Sequence, residues 1–379
     1  MYNRKQIFVD CASESLFLWG GRQTGKSTLL KEKFPNALCF DLLLSDVFER
    51  FMRNPALLRE TILANSEKKL IIIDEIQRIP ELLNEIHWLI VNTKSQFILS
   101  GSSPRKIIRN GSNLLGGRAL RYELYPLVSA EIPDFDLLKA LNNGLLPRHY
   151  LSLNPKKLIS AYVGNYLRDE IIAEAKIRNI HSFNRFLEAA AFSNGEMVNY
   201  TNIASDCGVS SPTIKEYFQI LEDTLIGNFI PSYQKKPKRK VIQAPKFYFF
   251  DIGIVNHLLK RPKIDFGNEI FGNAFEHFIY LEMKAHSSYS GLEYPISYWR
   301  TTSQIEVDFI LGDDIAIEIK SSSNINQRHL NGLKKIAEEY QFKQLILVCN
   351  EPLARLHDEI WILPWKIFLE KLWRGELMA

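Results

Sequence analysis

Short apolar runs alternate with amphipathic stretches over the first third of the chain. The runs are Leu16–Trp19, Ala37–Phe40, Leu70–Ile73, Phe97–Leu99 and Tyr122–Leu124. Strands of a parallel sheet that is covered on both faces form continuous apolar runs of this kind, and helices connect them. The pattern therefore predicts an α/β domain with a parallel sheet, which we assign to residues 1–150.

The pattern changes to almost continuous helix from about Leu151 to Ile230. Segments such as Ser160–Lys176 and Phe183–Phe192 carry apolar residues at helical spacing. They predict a helical domain over residues 151–265.

Alternation typical of strands returns after residue 265, together with further helical patterns, and predicts a second α/β domain over residues 266–379. The predicted helices of this domain are Asn273–Ala285 and Gln327–Tyr340. Its predicted strands are Ile296–Arg300, Ile305–Leu311, Ile315–Ile319 and Gln344–Val348.

Composition adds limits rather than a function. The 379 residues suffice for two or three domains, and the net charge of +4 is too small to indicate a nucleic-acid partner by itself. The four cysteines, Cys11, Cys39, Cys207 and Cys349, form no CxxC pair, which favours reduced thiols over a zinc site. Met1–Asp10 has no long apolar core, and no apolar run approaches the roughly 18 residues of a membrane span. We therefore expect a cytoplasmic protein without a membrane partner.

A phosphate-binding loop follows the first predicted strand. Residues Gly20 to Ser27 match the pattern GxxxxGK[ST], with a predicted helix Ser27–Lys33 behind them. Backbone N–H groups of such a loop face the phosphates of a nucleotide, Lys26 reaches the β- and γ-phosphates, and Ser27 offers a hydroxyl to Mg²⁺. The sequence therefore predicts ATP and Mg²⁺ as cofactors.

Two carboxylates end the third apolar run. Asp74 is expected to hold Mg²⁺ and Glu75 to polarise the attacking water, and this second carboxylate favours hydrolysis over nucleotide sensing. The fourth run ends in a serine-rich turn, where Ser100 or Ser102 is expected near the γ-phosphate. The predicted nucleotide-binding residues are Gly20, Gly21, Arg22, Gln23, Thr24, Gly25, Lys26, Ser27, Thr28, Asp74 and Ser100.

Three arginines follow this turn: Arg105, Arg118 and Arg121. An arginine that reaches the γ-phosphate from a neighbouring subunit stabilises the transition state of many P-loop enzymes. Arg118, after Gly116 and Gly117, is the first choice for this role. A surface arginine without a catalytic role is the alternative.

These motifs resemble a large prokaryotic family of AAA+-type ATPases whose C-terminal part is a domain of unknown function. The resemblance rests on the stretches Trp19–Leu30, Leu70–Gln77, Phe97–Ser103, Gly116–Leu127, Tyr248–Gly253 and Trp299–Ser322. It covers nearly the whole chain. It implies a AAA+ fold, a homo-oligomer such as a ring, and a cytoplasmic setting in bacteria or archaea, but no substrate.

The middle of the chain contains a candidate helix-turn-helix. Asn202–Cys207 and Thr213–Asp223 are predicted helices, Gly208 provides the turn, and Ser210 or Ser211 can cap the second helix. The residues expected to face inward are Ile214, Phe218 and Leu221. The residues expected to face outward are Thr213, Lys215, Glu216 and Gln219.

A basic run, Lys235–Lys240, follows where the wing of a winged helix would lie, before a predicted aromatic strand Lys246–Phe250. Cationic side chains in a wing meet DNA phosphates. The alternative is a helical module for protein contacts, and the acidic Glu216 and Asp223 favour that alternative.

The last domain carries an Asp–Glu–Lys arrangement on a predicted hairpin. Asp308 lies on the strand Ile305–Leu311, and Glu318 and Lys320 lie on one face of the next strand, beyond the Gly312–Asp314 turn. This part resembles the PD-(D/E)XK nuclease fold, although Val307 stands where the proline of that motif would be.

The nuclease resemblance implies a site for Mg²⁺ or Mn²⁺. Glu276 on the upstream helix, Asp308 and Glu318 would be its oxygen ligands, and Lys320 would orient water or stabilise the transition state. Gln327 and His329 are candidates to line the site or to lie on the surface. Since some proteins with this fold only bind DNA or a protein partner, binding without cleavage remains the alternative.

Together the patterns predict a AAA+ P-loop domain, a winged-helix-like domain and a PD-(D/E)XK nuclease-like domain. The leading hypothesis is an ATP-dependent DNA-processing enzyme with catalytic residues Lys26, Glu75, Arg118, Asp308, Glu318 and Lys320. The alternatives are an ATPase switch or scaffold, whose last domain only binds a partner, and a protein remodeller.

Overall fold

The computed structural model describes residues 2–9, 13–105, 107, 115–172, 177, 179–235 and 242–378, with the backbone alone described at 168–170. The chain divides into two compact units. The P-loop unit contains Gln6–Pro126 and Asp223–Ile226, and the C-terminal unit contains Met1–Lys5, Leu127–Glu222 and Gly227–Ala379. The division into three domains stays a prediction. Within the described residues, no helix is both long and apolar enough to cross a membrane.

The P-loop unit is built on a five-stranded sheet with the strand order β2-β3-β4-β1-β5. Its strands are β1 Ser15–Trp19, β2 Leu38–Asp41, β3 Leu70–Asp74, β4 Gln96–Gly101 and β5 Ala119–Glu123. Every neighbouring pair is parallel, which confirms the predicted sheet. Its helices are α1 Lys26–Lys33, α2 Ser45–Arg53, α3 Ala56–Ala64 and α4 Leu82–Asn92.

Burial explains why the strands are continuous apolar runs. All five side chains of β1 are buried, because β1 lies between β4 and β5. The register aligns Asp74 of β3 with Ser100 of β4, and Trp19 of β1 with Gly101 of β4. The carboxyl ends of β1, β3 and β4 thus meet at one edge of the sheet, where ligands of open α/β sheets bind.

Helices dominate the first part of the C-terminal unit. They are α5 Leu137–Asn143, α6 Pro147–Leu151, α7 Pro155–Ala161, a π-helix Tyr162–Glu170, α8 Ile180–Phe192, α9 Tyr200–Cys207 and α10 Ser211–Asp223. Ser160–Lys176 was predicted as one helix, but its described part is not a continuous α-helix. Helix α7 ends at Ala161, and the π-helix follows it.

Helices lie at both positions predicted for the helix-turn-helix: α9 ends before Gly208, which is left-handed with a φ of 66°, and α10 follows. Ser210 caps the second helix, because the backbone N–H of Thr213 donates to its Oγ at 3.4 Å. The side chains of Ile214, Phe218 and Leu221 are buried as predicted.

A small antiparallel sheet follows the helix-turn-helix. It pairs β6 Gly227–Ile230 with β7 Lys246–Phe249, and Met197, before α9, bridges to Lys246. Of the predicted basic run Lys235–Lys240, only Lys235 belongs to the described residues, where its Nζ lies 2.7 Å from Asp313 Oδ2.

The rest of the C-terminal unit is a six-stranded mixed sheet with the order β12-β13-β11-β10-β9-β8. Its strands are β8 Ile296–Arg300, β9 Glu306–Leu311, β10 Ile315–Ile319, β11 Gln344–Cys349, β12 Arg355–His357 and β13 Ile360–Pro364. Its helices are α11 Ile252–Leu258, α12 Glu269–Tyr289, α13 Asn331–Ala337 and α14 Trp365–Trp373. The antiparallel pair β9–β10 is the predicted hairpin.

Candidate functional site

The loop after β1 has the backbone shape of a phosphate-binding loop. Gln23 and Gly25 have positive φ angles of 63° and 98°, which turn successive N–H groups toward a common centre. Gly20 leaves no room for a side chain, because an added Cβ would collide with the backbone oxygen of Leu124. Thr24 Oγ1 donates to the Gly21 oxygen at 2.9 Å, which closes the loop internally.

Lys26 is the first residue of α1 and is only 5% exposed. Its Nζ donates to the backbone oxygens of Gly20 at 2.7 Å and Gly21 at 3.2 Å. Burial lowers the pKa of this amine, and the charges of Glu75 and Asp74 partly offset that effect. A buried cation whose partners are neutral carbonyls gains most from an anion placed in the loop.

Ser27, Asp74 and Ser100 form one hydrogen-bonded group. Ser27 Oγ donates to Asp74 Oδ2 at 2.5 Å, and Ser100 Oγ donates to Asp74 Oδ1. The second contact follows from the strand register, which aligns Asp74 with Ser100. Hydroxyl and carboxylate oxygens are the ligands that Mg²⁺ prefers, so Ser27 and Asp74 fit a Mg²⁺ ion that a bound nucleotide would bring.

Glu75 is held in a left-handed conformation with a φ of 60°, directly after β3. Its Oε2 accepts a hydrogen bond from Gln77 Nε2, which also donates to Ser102 Oγ at 3.0 Å. Gln77 is only 5% exposed. Ser102 Oγ also donates to Glu75 Oε2, at 3.4 Å. The sequence did not indicate Gln77 as a site residue, and together with Ser102 it holds the Glu75 carboxylate in place.

The three candidate arginines have different environments. Arg105 is 2% exposed and forms a salt bridge with Asp223 inside the P-loop unit. Arg118 and Arg121 are exposed, the first just before β5 and the second within it. Only these two have the exposure that a residue acting on a neighbouring subunit needs.

A second group of charges lies on the β9–β10 hairpin of the C-terminal unit. Lys320 Nζ lies 2.5 Å from Glu318 Oε1 and 4.0 Å from Asp308 Oδ2. The backbone N–H of Ile319 donates to Asp308 Oδ2 at 2.7 Å. Burial, together with the charge of Asp308, holds the pKa of Glu318 well above its usual value. Glu318 Oε2 is buried without a hydrogen-bond partner among the described residues.

Lys246 joins this group, although no sequence pattern indicated a role for it. It is 3% exposed, and its Nζ lies 2.6 Å from Glu306 Oε1 and 3.8 Å from Glu276 Oε1. Burial alone would lower the pKa of Lys246, but Glu276, Glu306 and Asp308 outweigh burial and raise it. Tyr248 donates to Glu276 Oε1 at 2.5 Å. Burial raises the pKa of Glu276 to about 7, against the effect of Lys246.

These contacts bear on the predicted metal ligands Glu276, Asp308 and Glu318. Among the described residues, no three side chains of His, Cys, Asp or Glu are grouped so that they could hold a metal ion. Glu276 is engaged by Tyr248 and Lys246 instead. The metal-ligand role of Glu276, Asp308 and Glu318 stays a prediction. The candidate His329 lies in a 3₁₀ turn, Gln327–Leu330, where its Nδ1 accepts from the backbone N–H of Asn326 at 3.3 Å.

The outward face of α10 carries the side chains predicted there. Lys215, Glu216 and Gln219 are exposed, and Thr213 is half-buried. Lys215 Nζ lies 5.3 Å from the ring centre of Tyr200, and Gln219 donates to Glu222 at 3.3 Å. The face is mixed in charge.

Three family models match separate parts of the chain. Residues 12–132 match a AAA domain, residues 134–265 match domain of unknown function DUF8612, and residues 271–368 match domain of unknown function DUF4143. A search of curated protein sequences finds no match. The family models thus identify the first part of the chain and give no activity for the rest.

Comparison with solved structures finds distant similarities. AMPPCP-bound DnaA from Aquifex aeolicus has 16% identity and a TM-score of 0.28, with coverage of 55% of this chain and 82% of that one. The replication initiator DnaA bound to AMPPCP and single-stranded DNA has 14% identity, a TM-score of 0.26 and the same coverage, 55% and 82%.

A signal transduction ATPase with numerous domains and a tetratricopeptide repeat sensor, from Pyrococcus horikoshii, has 15% identity and a TM-score of 0.22. It covers 76% of this chain, which in turn spans 48% of that protein. TM-scores this low do not establish a shared fold. The match of residues 12–132 to a AAA domain and the geometry of the loop after β1 together support a P-loop ATPase of the AAA type.

Proposed function

We propose that this chain is an oligomeric, Mg²⁺-dependent ATPase that acts on DNA. The observation that carries the ATPase part is the joint placement of Lys26, the Ser27–Asp74–Ser100 group and the Glu75–Gln77–Ser102 group at one sheet edge. Lys26 and the Ser27–Asp74–Ser100 group suit phosphates and a cation. The Glu75–Gln77–Ser102 group holds a carboxylate beside them.

The roles follow from the chemistry of ATP hydrolysis. Lys26 would bind the β- and γ-phosphates, while Ser27 and Asp74 would hold Mg²⁺, which neutralises phosphate charge when bound. Glu75 would polarise the attacking water, with its direction fixed by Gln77. Arg118, exposed and next to β5, would reach the γ-phosphate of a neighbouring subunit in the oligomer.

The order of elements in the C-terminal unit supports the DNA part of the proposal. The elements follow one another as they would in a winged helix. Their order is helix α8, the Met197–Lys246 bridge, helices α9 and α10, and the β6–β7 pair. The second helix of such a unit enters the major groove of DNA. Glu216 on its exposed face weakens this support, so protein contacts remain the alternative for this surface.

The first experiment compares ATP hydrolysis with and without single- and double-stranded DNA, in wild type and in Glu75→Gln. DNA-stimulated hydrolysis that is lost in Glu75→Gln supports the proposal. If DNA does not change the rate of hydrolysis and the protein has no affinity for DNA at low salt, the result favours the switch, scaffold or remodeller. Absence of hydrolysis under every condition contradicts the ATPase assignment.

DNA cleavage by the C-terminal unit is a second candidate function. The observation that favours it is the position of Lys320 Nζ, 2.5 Å from Glu318 Oε1 and 4.0 Å from Asp308 Oδ2. The buried Glu318 Oε2 beside it has no hydrogen-bond partner among the described residues. Binding of DNA or a protein partner without cleavage stays the alternative.

The test is incubation of DNA with Mg²⁺ or Mn²⁺, with and without ATP, for wild type, Asp308→Ala and Lys320→Ala. The exposed Glu338→Ala serves as the control. Cleavage lost in the first two variants and kept in the control establishes a nuclease. No cleavage by wild type assigns the domain to binding.

A further inference from the structure

A large basic cleft lies within the C-terminal unit. Its volume is about 1180 Å³, and helices α5, α7 and α11 and the turn after α11 contribute to its walls. Leu138, Leu153 and Ile159 supply apolar surface to these walls. Among the described residues, the cleft shares none with the candidate nucleotide site or with the group of charges around Asp308, Glu318, Lys320 and Lys246.

Among the residues that the structure describes, positive side chains outnumber negative ones around the cleft. Five described cationic side chains line it, namely Lys139, Lys156, Lys260, Arg261 and Lys263, against the two described acidic residues Asp136 and Glu188. Lys263 is paired with Asp265 at 3.2 Å. Within the part of the chain that the structure describes, the other four cations form no salt bridge.

Arg261 is the best-fixed cation of the cleft. Its side chain is partly buried, its backbone N–H donates to the Asn256 oxygen at 2.9 Å, and Nη1 lies 3.4 Å from Asn256 Oδ1. Asn256 Nδ2 is itself anchored on the Leu141 oxygen at 2.7 Å. Burial lowers the pKa of Arg261, and its partner is neutral. A partly desolvated guanidinium without a counter-charge favours an anion, and phosphate matches its planar donors.

We propose that this cleft binds the phosphate groups of a nucleotidyl ligand, with Arg261, Lys139, Lys156 and Lys260 as the contacting cations. Phosphates that are spaced along one ligand match cations that are spread over three elements of the wall. Free nucleotides and nucleic-acid strands share this chemistry. The cleft is a site separate from the P-loop, and it does not depend on the ATPase assignment.

The experiment uses the full chain with Lys26→Ala, so that the P-loop does not bind the probes. Two probes are titrated by fluorescence: a fluorescent ADP analogue and a labelled 12-nucleotide oligothymidylate. The cleft variants are Lys156→Glu with Lys260→Glu, and Arg261→Ala beside Arg261→Lys. The control is Lys366→Glu, an exposed charge reversal outside the cleft.

We expect Kd to rise at least tenfold in Lys156→Glu/Lys260→Glu and to stay unchanged in Lys366→Glu. For the oligonucleotide, the slope of log Kd against log salt should fall, because fewer counterions are released. Loss of only the oligonucleotide identifies a nucleic-acid strand as the ligand, and loss of only the ADP analogue identifies a free nucleotide.

Equal affinity of the parent and the cleft variant for both probes overturns the proposal, as does absence of binding by the parent. If Arg261→Ala fails to fold, the exposed Lys156 and Lys260 still test the cleft. ATP hydrolysis is measured separately with Lys26 intact, so a failure of the ATPase proposal is distinct from a failure of this one.

Discussion

Arg105 forms a salt bridge with Asp223, although the two residues lie 118 positions apart in the chain. The Arg105 side chain is 2% exposed and that of Asp223 is 26% exposed. Ser103 Oγ also donates to the backbone oxygen of Asp223 at 3.4 Å. One of the three arginines considered for a role in trans therefore fixes the segment after β4 within its own subunit.

Asp223→Ala should destabilise the P-loop unit. The change removes the carboxylate that neutralises a buried guanidinium, and breaking such a pair costs about 3 kcal/mol. The midpoint of urea unfolding measures this loss. Glu67→Ala, an exposed acidic residue of the same unit, is the matched control and should change stability by less than about 0.5 kcal/mol. Equal midpoints for both variants would show that the Arg105–Asp223 pair contributes nothing.

Lys26→Ala should abolish nucleotide binding at the P-loop. Its Nζ is buried in the loop and donates to the neutral carbonyls of Gly20 and Gly21, so the phosphates of a nucleotide would supply its counter-charge. Binding of a fluorescent ATP analogue, titrated in the presence of excess unlabelled oligonucleotide, measures the effect. Lys33→Ala, an exposed lysine of the same helix, should bind like wild type. Unchanged affinity in Lys26→Ala would contradict the phosphate-binding role of the loop.

The contacts among the predicted nucleotide-site residues could be expected from the sequence because they are local or are set by strand ends. Gly20–Ser27 is one continuous motif, and Asp74 and Ser100 end two neighbouring parallel strands. Once the sheet is parallel, its carboxyl ends meet at one edge. Their contact therefore needs no information beyond the order of apolar runs and the polar residue that ends each of them.

Gln77, Lys246 and the Arg105 pairing could not be predicted in this way. Gln77 reaches Glu75 because Glu75 has a left-handed φ of 60°, which no periodic pattern encodes. Lys246 meets Glu276 and Glu306 only after β7, α12 and β9 have packed together. Long-range contacts between charged side chains depend on tertiary packing, and single residues carry no local signal for them.

Gln77→Ala should slow ATP hydrolysis and leave ATP affinity unchanged. The variant frees the Glu75 carboxylate, and misplacement of a catalytic group by about 1 Å costs up to about 100-fold in rate. Single-turnover hydrolysis and a separate binding titration distinguish kcat from affinity.

The double variant Glu75→Gln/Gln77→Ala decides whether Gln77 acts through Glu75. If it does, the double variant should be no slower than Glu75→Gln alone, because residues that act as a unit are not additive. A further loss in the double variant would give Gln77 a role of its own. A normal rate in Gln77→Ala would remove it from the site.

Arg118→Ala should lose hydrolysis by about 10³-fold and keep ATP binding, as expected for an arginine that stabilises the transition state. Arg121→Ala, exposed on the same strand segment, is the control. The sharper test mixes Arg118→Ala with Lys26→Ala. Each variant is inactive alone, yet in a mixed oligomer the intact Arg118 of one subunit faces the intact loop of the other. Activity regained on mixing demonstrates action in trans. No regain, or full activity of Arg118→Ala alone, contradicts it.

Glu282→Gln should change how the stability of the C-terminal unit depends on pH. Glu282 is fully buried and accepts hydrogen bonds from the Ser129 backbone N–H at 2.6 Å, the Ser129 hydroxyl at 2.8 Å and Trp373 Nε1 at 2.6 Å. Burial raises its pKa from the usual 4.5 to about 7, although these hydrogen bonds act in the opposite direction. Between these two values the folded state binds more protons than the unfolded chain.

Glu282 therefore does not lower the free energy of unfolding below pH 4.5. The unit loses stability as the pH rises from 4.5 to about 7, because only the unfolded chain ionises this carboxyl group readily in that range. His149, His277 and His286, with pKa values lowered to about 4 by burial, act oppositely, since they remove stability as the pH falls below 6.5. They are common to both proteins, so the difference between wild type and variant isolates Glu282. We expect urea unfolding to favour Glu282→Gln by on the order of 3 kcal/mol more at pH 8 than at pH 5. The exposed control Glu338→Gln should give a constant difference, and parallel pH curves for Glu282→Gln and wild type would mean that Glu282 titrates alike in the folded and unfolded states.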